Sequence, residues 1–255
     1  MAILSQLEYR FNLFTDAVIQ PVLTGLIEVT IWMAILSSTA TGTLGGYSRE
    51  SYLAYALWAA FFSRSSANWM YERRMMEEIE TGTVNSVLAR PISFYEYYLG
   101  QFMGYKVLTS ALSFIVPLVI VSLIPGATDL SRFPLTCATL LVYLVFSHTM
   151  SFLVSSFAFF FNRVHSLTMA KNIALWVLGG EMFPLDLVPE PFRSVMIKLP
   201  FANSVYIPVG YLTGRFDERL VYQGLLSCVI GTAVVGAIGA LIWSAGRRRY
   251  SGTGA

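Results

Sequence analysis

Glu28, Arg64, His148 and Glu181 are ionisable side chains that lie in or beside the long apolar stretches of this 255-residue chain. Two carboxylates, a guanidinium and an imidazole have the chemistry for proton transfer or ion binding if the fold brings them together. Charge is costly in hydrocarbon, so each needs a partner or a polar cavity. Glu28 lies about eleven residues, roughly 16 Å at helical rise, past the start of the first apolar run, and Arg64 about seven residues from the end of the second. At such similar depths an ion pair between adjacent helices is expected, with a substrate-facing role as the other reading.

Metal and phosphate chemistry are poorly supplied. A metal site wants several converging ligands, and the chain has two histidines, His148 and His165, with Cys137 and Cys228 far off in apolar stretches. The cysteines read as small buried hydrophobes and not as a disulfide framework. His148, near Ser147, Ser151 and Ser155, reads as a packing or interhelical hydrogen-bonding residue. There is no phosphate loop of the GxxxxGK type and no dinucleotide fingerprint. Catalytic, cofactor-binding and metal-binding residues are therefore expected to be none, with the driving energy supplied by a partner or a gradient.

The elements that must position these residues are membrane spans. The composition is 55% hydrophobic and 13% charged with a mean hydropathy of +0.60, against roughly a quarter charged in soluble domains. Apolar runs fall at 17–39, 51–71, 102–124, 134–160, 167–180 and 222–244. Five are long enough to cross, and the fifth in order, short and carrying Lys171, reads as a crossing helix with a snorkelling lysine followed by re-entrant pieces. Six spans consume about 120 residues, too much to leave room for an ordinary nucleotide-binding domain. The fold expected is an all-α integral membrane protein with six transmembrane helices in one domain, 1–255.

Charge sets the sides. With both termini inside, ten basic residues, among them Arg10, Arg73, Arg74, Arg90 and Arg247 to Arg249, fall on the cytoplasmic side and six on the other, as short-loop basic residues prefer. A net charge of +2 gives no case for nucleic acid. The first 16 residues place Leu4, Leu7, Phe11 and Phe14 on one face, an amphipathic helix suited to the membrane interface, with Pro21 marking a bend or first helical turn behind it. No signal-peptide pattern precedes it, so insertion is expected to rely on the first span. The sixth span carries a small-residue face, Gly231, Gly236 and Gly239 among alanines, suited to close packing inside the subunit.

The loop over 72–98 is the most informative stretch. A helix from Tyr71 to Glu80 puts Met75, Met76 and Ile79 on one side, Gly82 stops it, Thr83 is placed to cap a second short helix that Pro91 terminates, and Ser93 with Glu96 forms a capping box for the third span. Such a compact knuckle suits docking of an attached protein and equally suits a solvated connector.

This layout, with GTVNSVLARPIS after the second span and GGEMFPLDLVPEPF before the sixth, resembles the permease subunit of type-2 ABC exporters, most closely the compact bacterial branch with a separately encoded ATPase. The resemblance covers nearly the whole chain. It implies a cytoplasmic coupling helix that docks the ATPase, carried by Arg73, Arg74, Glu77, Glu78, Glu80, Gly82, Thr83, Arg90 and Pro91. Glu80 stands where the family often has arginine or another polar residue. An exit region before the last span is implied for Glu181, Phe183 and Pro184, within an extracytoplasmic re-entrant stretch over 181–221. The implied partners are two cytoplasmic ABC ATPase subunits, which would bind ATP and Mg, a second copy or homologous permease, and membrane lipid. The implied setting is the bacterial inner membrane, and the implied task is export of a lipid, drug, peptide or glycan-like substrate. A membrane-embedded enzyme, built if Glu28, Arg64, His148 and Glu181 share one polar cavity, and a non-transporting scaffold are the alternatives.

Overall fold

The computed structural model describes residues 10–39, 43–115, 117, 126–161 and 164–250, which form helices and one isolated bridge, Leu44 with Tyr47. The expected interfacial helix lies mostly outside them. Its last turn, Arg10–Phe14, is helical with Phe11 and Phe14 exposed, and it runs through a π-helical turn, Thr15–Ile19, into α1, Gln20–Ser38. Pro21 explains that turn: it has no N–H to give to the Ala17 carbonyl four residues back, and its ring would crowd that carbonyl. The freed Ala17 oxygen accepts the Ser113 hydroxyl at 2.5 Å.

Helix α2, Arg49–Ser66, starts on a Ser48/Ser51 capping box and buries Tyr55, Trp58 and Phe62. It stops earlier than the apolar run suggests. Ala67 is extended, and after Asn68 the chain restarts as α3, Trp69–Glu80, then a single turn α4, Asn85–Leu88. The Ser93/Glu96 capping box is present and opens α5, Phe94–Ser113, which buries Phe94, Tyr98, Phe102, Tyr105, Thr109 and Ser113, an i, i+3/i+4 stripe. The remainder of the third apolar run lies largely outside the described residues.

Helix α6, Phe133–Ser156, is the centre of the bundle and packs along α10, Glu218–Arg249. Glycines set that approach: a Cβ on Gly231 would stand 3.1 Å from Phe146 of α6, one on Gly239 3.2 Å from Phe152, and one on Gly246 2.5 Å from Phe159 in the turn that follows α6. The small-residue face is thus used inside the subunit.

Between them lies α7, His165–Leu178, 14 residues. At about 21 Å it is shorter than a hydrocarbon core of about 30 Å. It turns at Gly180, φ +76°, into short pieces that include α8, Phe192–Lys198, and α9, Tyr206–Leu212, whose seven residues are all buried. Thr15–Ser38, Leu130–Phe159 and Glu218–Arg249 are long and apolar enough to cross a membrane. Helices α2 and α5 have comparable length, 18 and 20 residues, with more polar sequences.

Candidate functional site: a polar cavity and a charged knuckle

The knuckle is built on a buried apolar base. Tyr71, Met75, Met76 and Ile79 of α3 face inward with Val84, Val87 and Phe94, while Arg73, Arg74, Glu77, Glu80, Arg90 and Pro91 are exposed. Arg73 pairs with Glu77 at 2.7 Å, and Arg74 lies 3.8 Å from Glu78, whose side chain is mostly covered. Gly82 has φ +79°, a left-handed conformation that lets α3 end sharply. Its carbonyl accepts the Tyr250 hydroxyl at 3.2 Å, pinning the knuckle to the end of α10. Thr83 bonds the Thr81 hydroxyl at 3.0 Å and does not cap α4 through its side chain. Arg90 sits over the Tyr97 ring at 5.6 Å.

A cavity of ≈ 500 Å³ opens under the corner where α2 meets α3. Gln20, Thr24 and Glu28 of α1 line one wall, Ser63, Arg64 and Asn68 a second, Lys171, Asn172 and Trp176 of α7 a third, and Glu181 and Ser204 complete it. Glu181 accepts a hydrogen bond from the Ser63 hydroxyl. Two of the intramembrane candidates, Glu28 and Arg64, therefore share one space with Glu181 of the expected exit region. His148 does not: its Nε2 donates to the Tyr95 carbonyl at 3.1 Å, and its ring stacks on Phe102.

The pairing differs from expectation. Arg64 bonds Asp16, with Nη2 2.6 Å from the carboxylate and Nε 2.8 Å from the carbonyl, and not Glu28. Because α2 ends at Ser66, Arg64 occupies the last turn of its helix, level with the π-helical turn, and Glu28 lies three turns further along α1. Lys171 does not snorkel either. It points inward to Glu72 on α3, whose carboxylate is fully buried, and Ser151 Oγ of α6 lies 3.4 Å away. Lys106 is buried and donates to the Arg64 carbonyl at 2.8 Å, closing the C-terminus of α2.

Glu72, Lys106 and Asn68 were missed in the sequence, yet Glu72 had a signal: it occupies the i−3, i−4 position of the Met75–Met76 stripe, on the buried face. At the opposite end Asp186 was also missed. It gathers Arg193 at 2.8 Å, Arg215 at 3.2 Å and the hydroxyls of Tyr47 and Tyr206, each at 3.0 Å. Arg215 lies 4.0 Å over the Tyr47 ring and donates to the Gly45 carbonyl at 2.8 Å. This cluster ties the α1–α2 hairpin to the segment before α10. Burial, and then the Asp186 charge, raise the Tyr47 hydroxyl above its ordinary pKa. Nearby, Pro184 is buried and Phe183 half-buried.

A helical bundle with membrane-length apolar helices, a cavity that carries charged side chains on its walls and an exposed charged turn at one end defines a multi-pass membrane protein of the transporter class. A family model described as ABC-2 family transporter protein matches residues 22–254, and the chain belongs to that family. It is a membrane permease, not itself a catalyst, in a family whose permeases work with an ABC ATPase subunit. Comparison with individual curated proteins gives no match.

Proposed function

We propose that the chain is one half of an ATP-driven export path, with a cytoplasmic ABC ATPase docking on the knuckle. The observation that carries this reading is the construction of the knuckle. Its charges face solvent on a base fixed to the bundle by buried apolar side chains, by the Glu72–Lys171 pair and by the Tyr250 contact. A displacement of α3 therefore reaches α7, a wall of the cavity, without passing through a flexible loop.

In this reading two permeases, identical or homologous, enclose the path. The outward faces of α1 and α7, with Leu23, Ile27 and Ile31 and with Leu167, Met169 and Ile173 exposed, are the surfaces a second permease or lipid covers. Two ATPase subunits, holding ATP and Mg, sit below six spans per permease, with both termini on that cytoplasmic side of a bacterial inner membrane. Glu181, Phe183 and Pro184 belong to the turn between the cavity and the outer re-entrant pieces. ATP-driven closure changes which contacts the cavity walls make, and hydrolysis resets them.

Charge reversal tests the docking. Arg90→Glu and Glu77→Lys alter exposed groups, whereas Glu78 is too covered to be a clean probe. Each is expected to weaken co-purification with a cognate cassette ATPase by about tenfold and to lower permease-stimulated ATP hydrolysis, with membrane insertion intact. Unchanged affinity and stimulation in both variants would defeat the assignment.

A further inference from the structure

The cavity carries charge that the docking argument leaves unused. Both cations on its wall already have carboxylates: Arg64 is held by Asp16 and Lys171 by Glu72. Glu28 and Glu181 line the same space, and neither forms an ion pair among the described residues. Asn68 lines it too. It is only 6% exposed, and both its amide oxygen and its amide nitrogen lack a partner. A buried amide left this way is destabilising. Trp69 and Trp176 also line the cavity, and these residues are 47% and 48% exposed.

We propose that this cavity binds a lipophilic cation, an ammonium or phosphonium centre on a hydrophobic body. Two carboxyl groups with no counter-ion among the described residues offer a cation a partner and an anion none. Arg64 and Lys171 do not cancel this, because each is already neutralised by its own acid. The tryptophan faces add cation–π attraction, and the volume, ≈ 500 Å³, lies in the usual range of sites for drug-sized molecules. The proposal rests on the permease reading only in treating the ligand as cargo; the charge preference belongs to the cavity.

The test uses two probes of matched shape and opposite charge, tetraphenylphosphonium and tetraphenylborate. Binding to the full-length permease in lipid nanodiscs is measured by calorimetry and tryptophan quenching, with empty discs as the partition control. The phosphonium is expected to bind at least about tenfold more tightly than the borate. Glu28→Gln and Glu181→Gln should each weaken phosphonium binding about tenfold or more and leave borate binding equal or stronger, while Glu28→Asp stays within a few-fold of wild type. Equal binding of the two probes by the wild-type protein overturns the proposal, and that comparison needs no variant to fold. So does unchanged phosphonium binding by E28Q/E181Q.

Competition separates two sources of the cation. Displacement by dodecyltrimethylammonium alone assigns the site to free amphiphiles, and displacement also by dodecylphosphocholine assigns it to choline-type lipid headgroups. Carboxylate-dependent phosphonium binding without ATPase coupling would sink the transport reading alone. Coupled ATP hydrolysis without a charge preference would sink the cavity assignment alone.

Discussion

The Glu72–Lys171 pair joins the knuckle helix to a wall of the cavity, and its removal should be felt at both. Glu72 is 0% and Lys171 9% exposed, so neither charge can turn to water when its partner is lost. Breaking a buried pair from one side costs about 3–5 kcal/mol, whereas replacing both members by apolar side chains of similar volume is often neutral or stabilising. With about 2–4 °C per kcal/mol for a chain of this size, Lys171→Met or Glu72→Leu alone should lower the unfolding temperature in detergent by about 6–20 °C. The double variant Glu72→Leu/Lys171→Met should recover most of that loss. Its coupling of permease to ATPase should nonetheless stay weakened, because the directional link between α3 and α7 is gone even though the packing is restored. The assay is a double-mutant cycle of thermal unfolding read beside permease-stimulated ATP hydrolysis. Single variants within about 1 kcal/mol of wild type, or additive effects in the double, would refute the claim that these charges depend on each other.

Three further outcomes follow from particular contacts. Gly231→Ala drives a methyl to 2.6 Å from the Pro200 ring, whereas at Gly236 the nearest atom is 3.5 Å away. Thermal unfolding should show the first destabilised by about 1–3 kcal/mol and the second unchanged or stabilised by up to about 1 kcal/mol through helix propensity. Asp186→Ala leaves Arg193 and Arg215 without their shared carboxylate, and hydrogen exchange should rise in 43–48 and 213–217 while the knuckle is unaffected. Finally, Tyr47 holds its proton more tightly when folded than the ordinary value of 10.0. The unfolded chain therefore loses that proton first, and stability should fall as pH rises above 10. Tyr47→Phe should flatten that slope in unfolding temperatures measured between pH 9 and pH 11, a range chosen to bracket the ordinary value.

What could be read from the sequence about the knuckle was local. Gly82 at a left-handed turn and the Ser93/Glu96 box act through their own and neighbouring backbone groups, so a few residues suffice to specify them. The same locality limited the reading of Arg64 and Glu28. Their depths were counted along apolar runs, and the count assumed that α2 continued to residue 71, but Asn68 interrupts it and α3 sets out on a new axis. That break moved Arg64 to a helix end and left Glu28 facing the cavity.

The sequence by itself determined that the chain is apolar enough to live in a membrane and where its charged turn lies. These follow from composition and short-range pattern, which need no knowledge of partners. Only the tertiary structure decided which charges meet: Lys171 with Glu72, 99 positions apart, Arg64 with Asp16, and Glu28 with Glu181 around one cavity. Each residue advances about 100° around a helix, so a one-residue change in where a helix begins swings a side chain from lipid to interior. Partner choice across the bundle is fixed only once every helix end is in place.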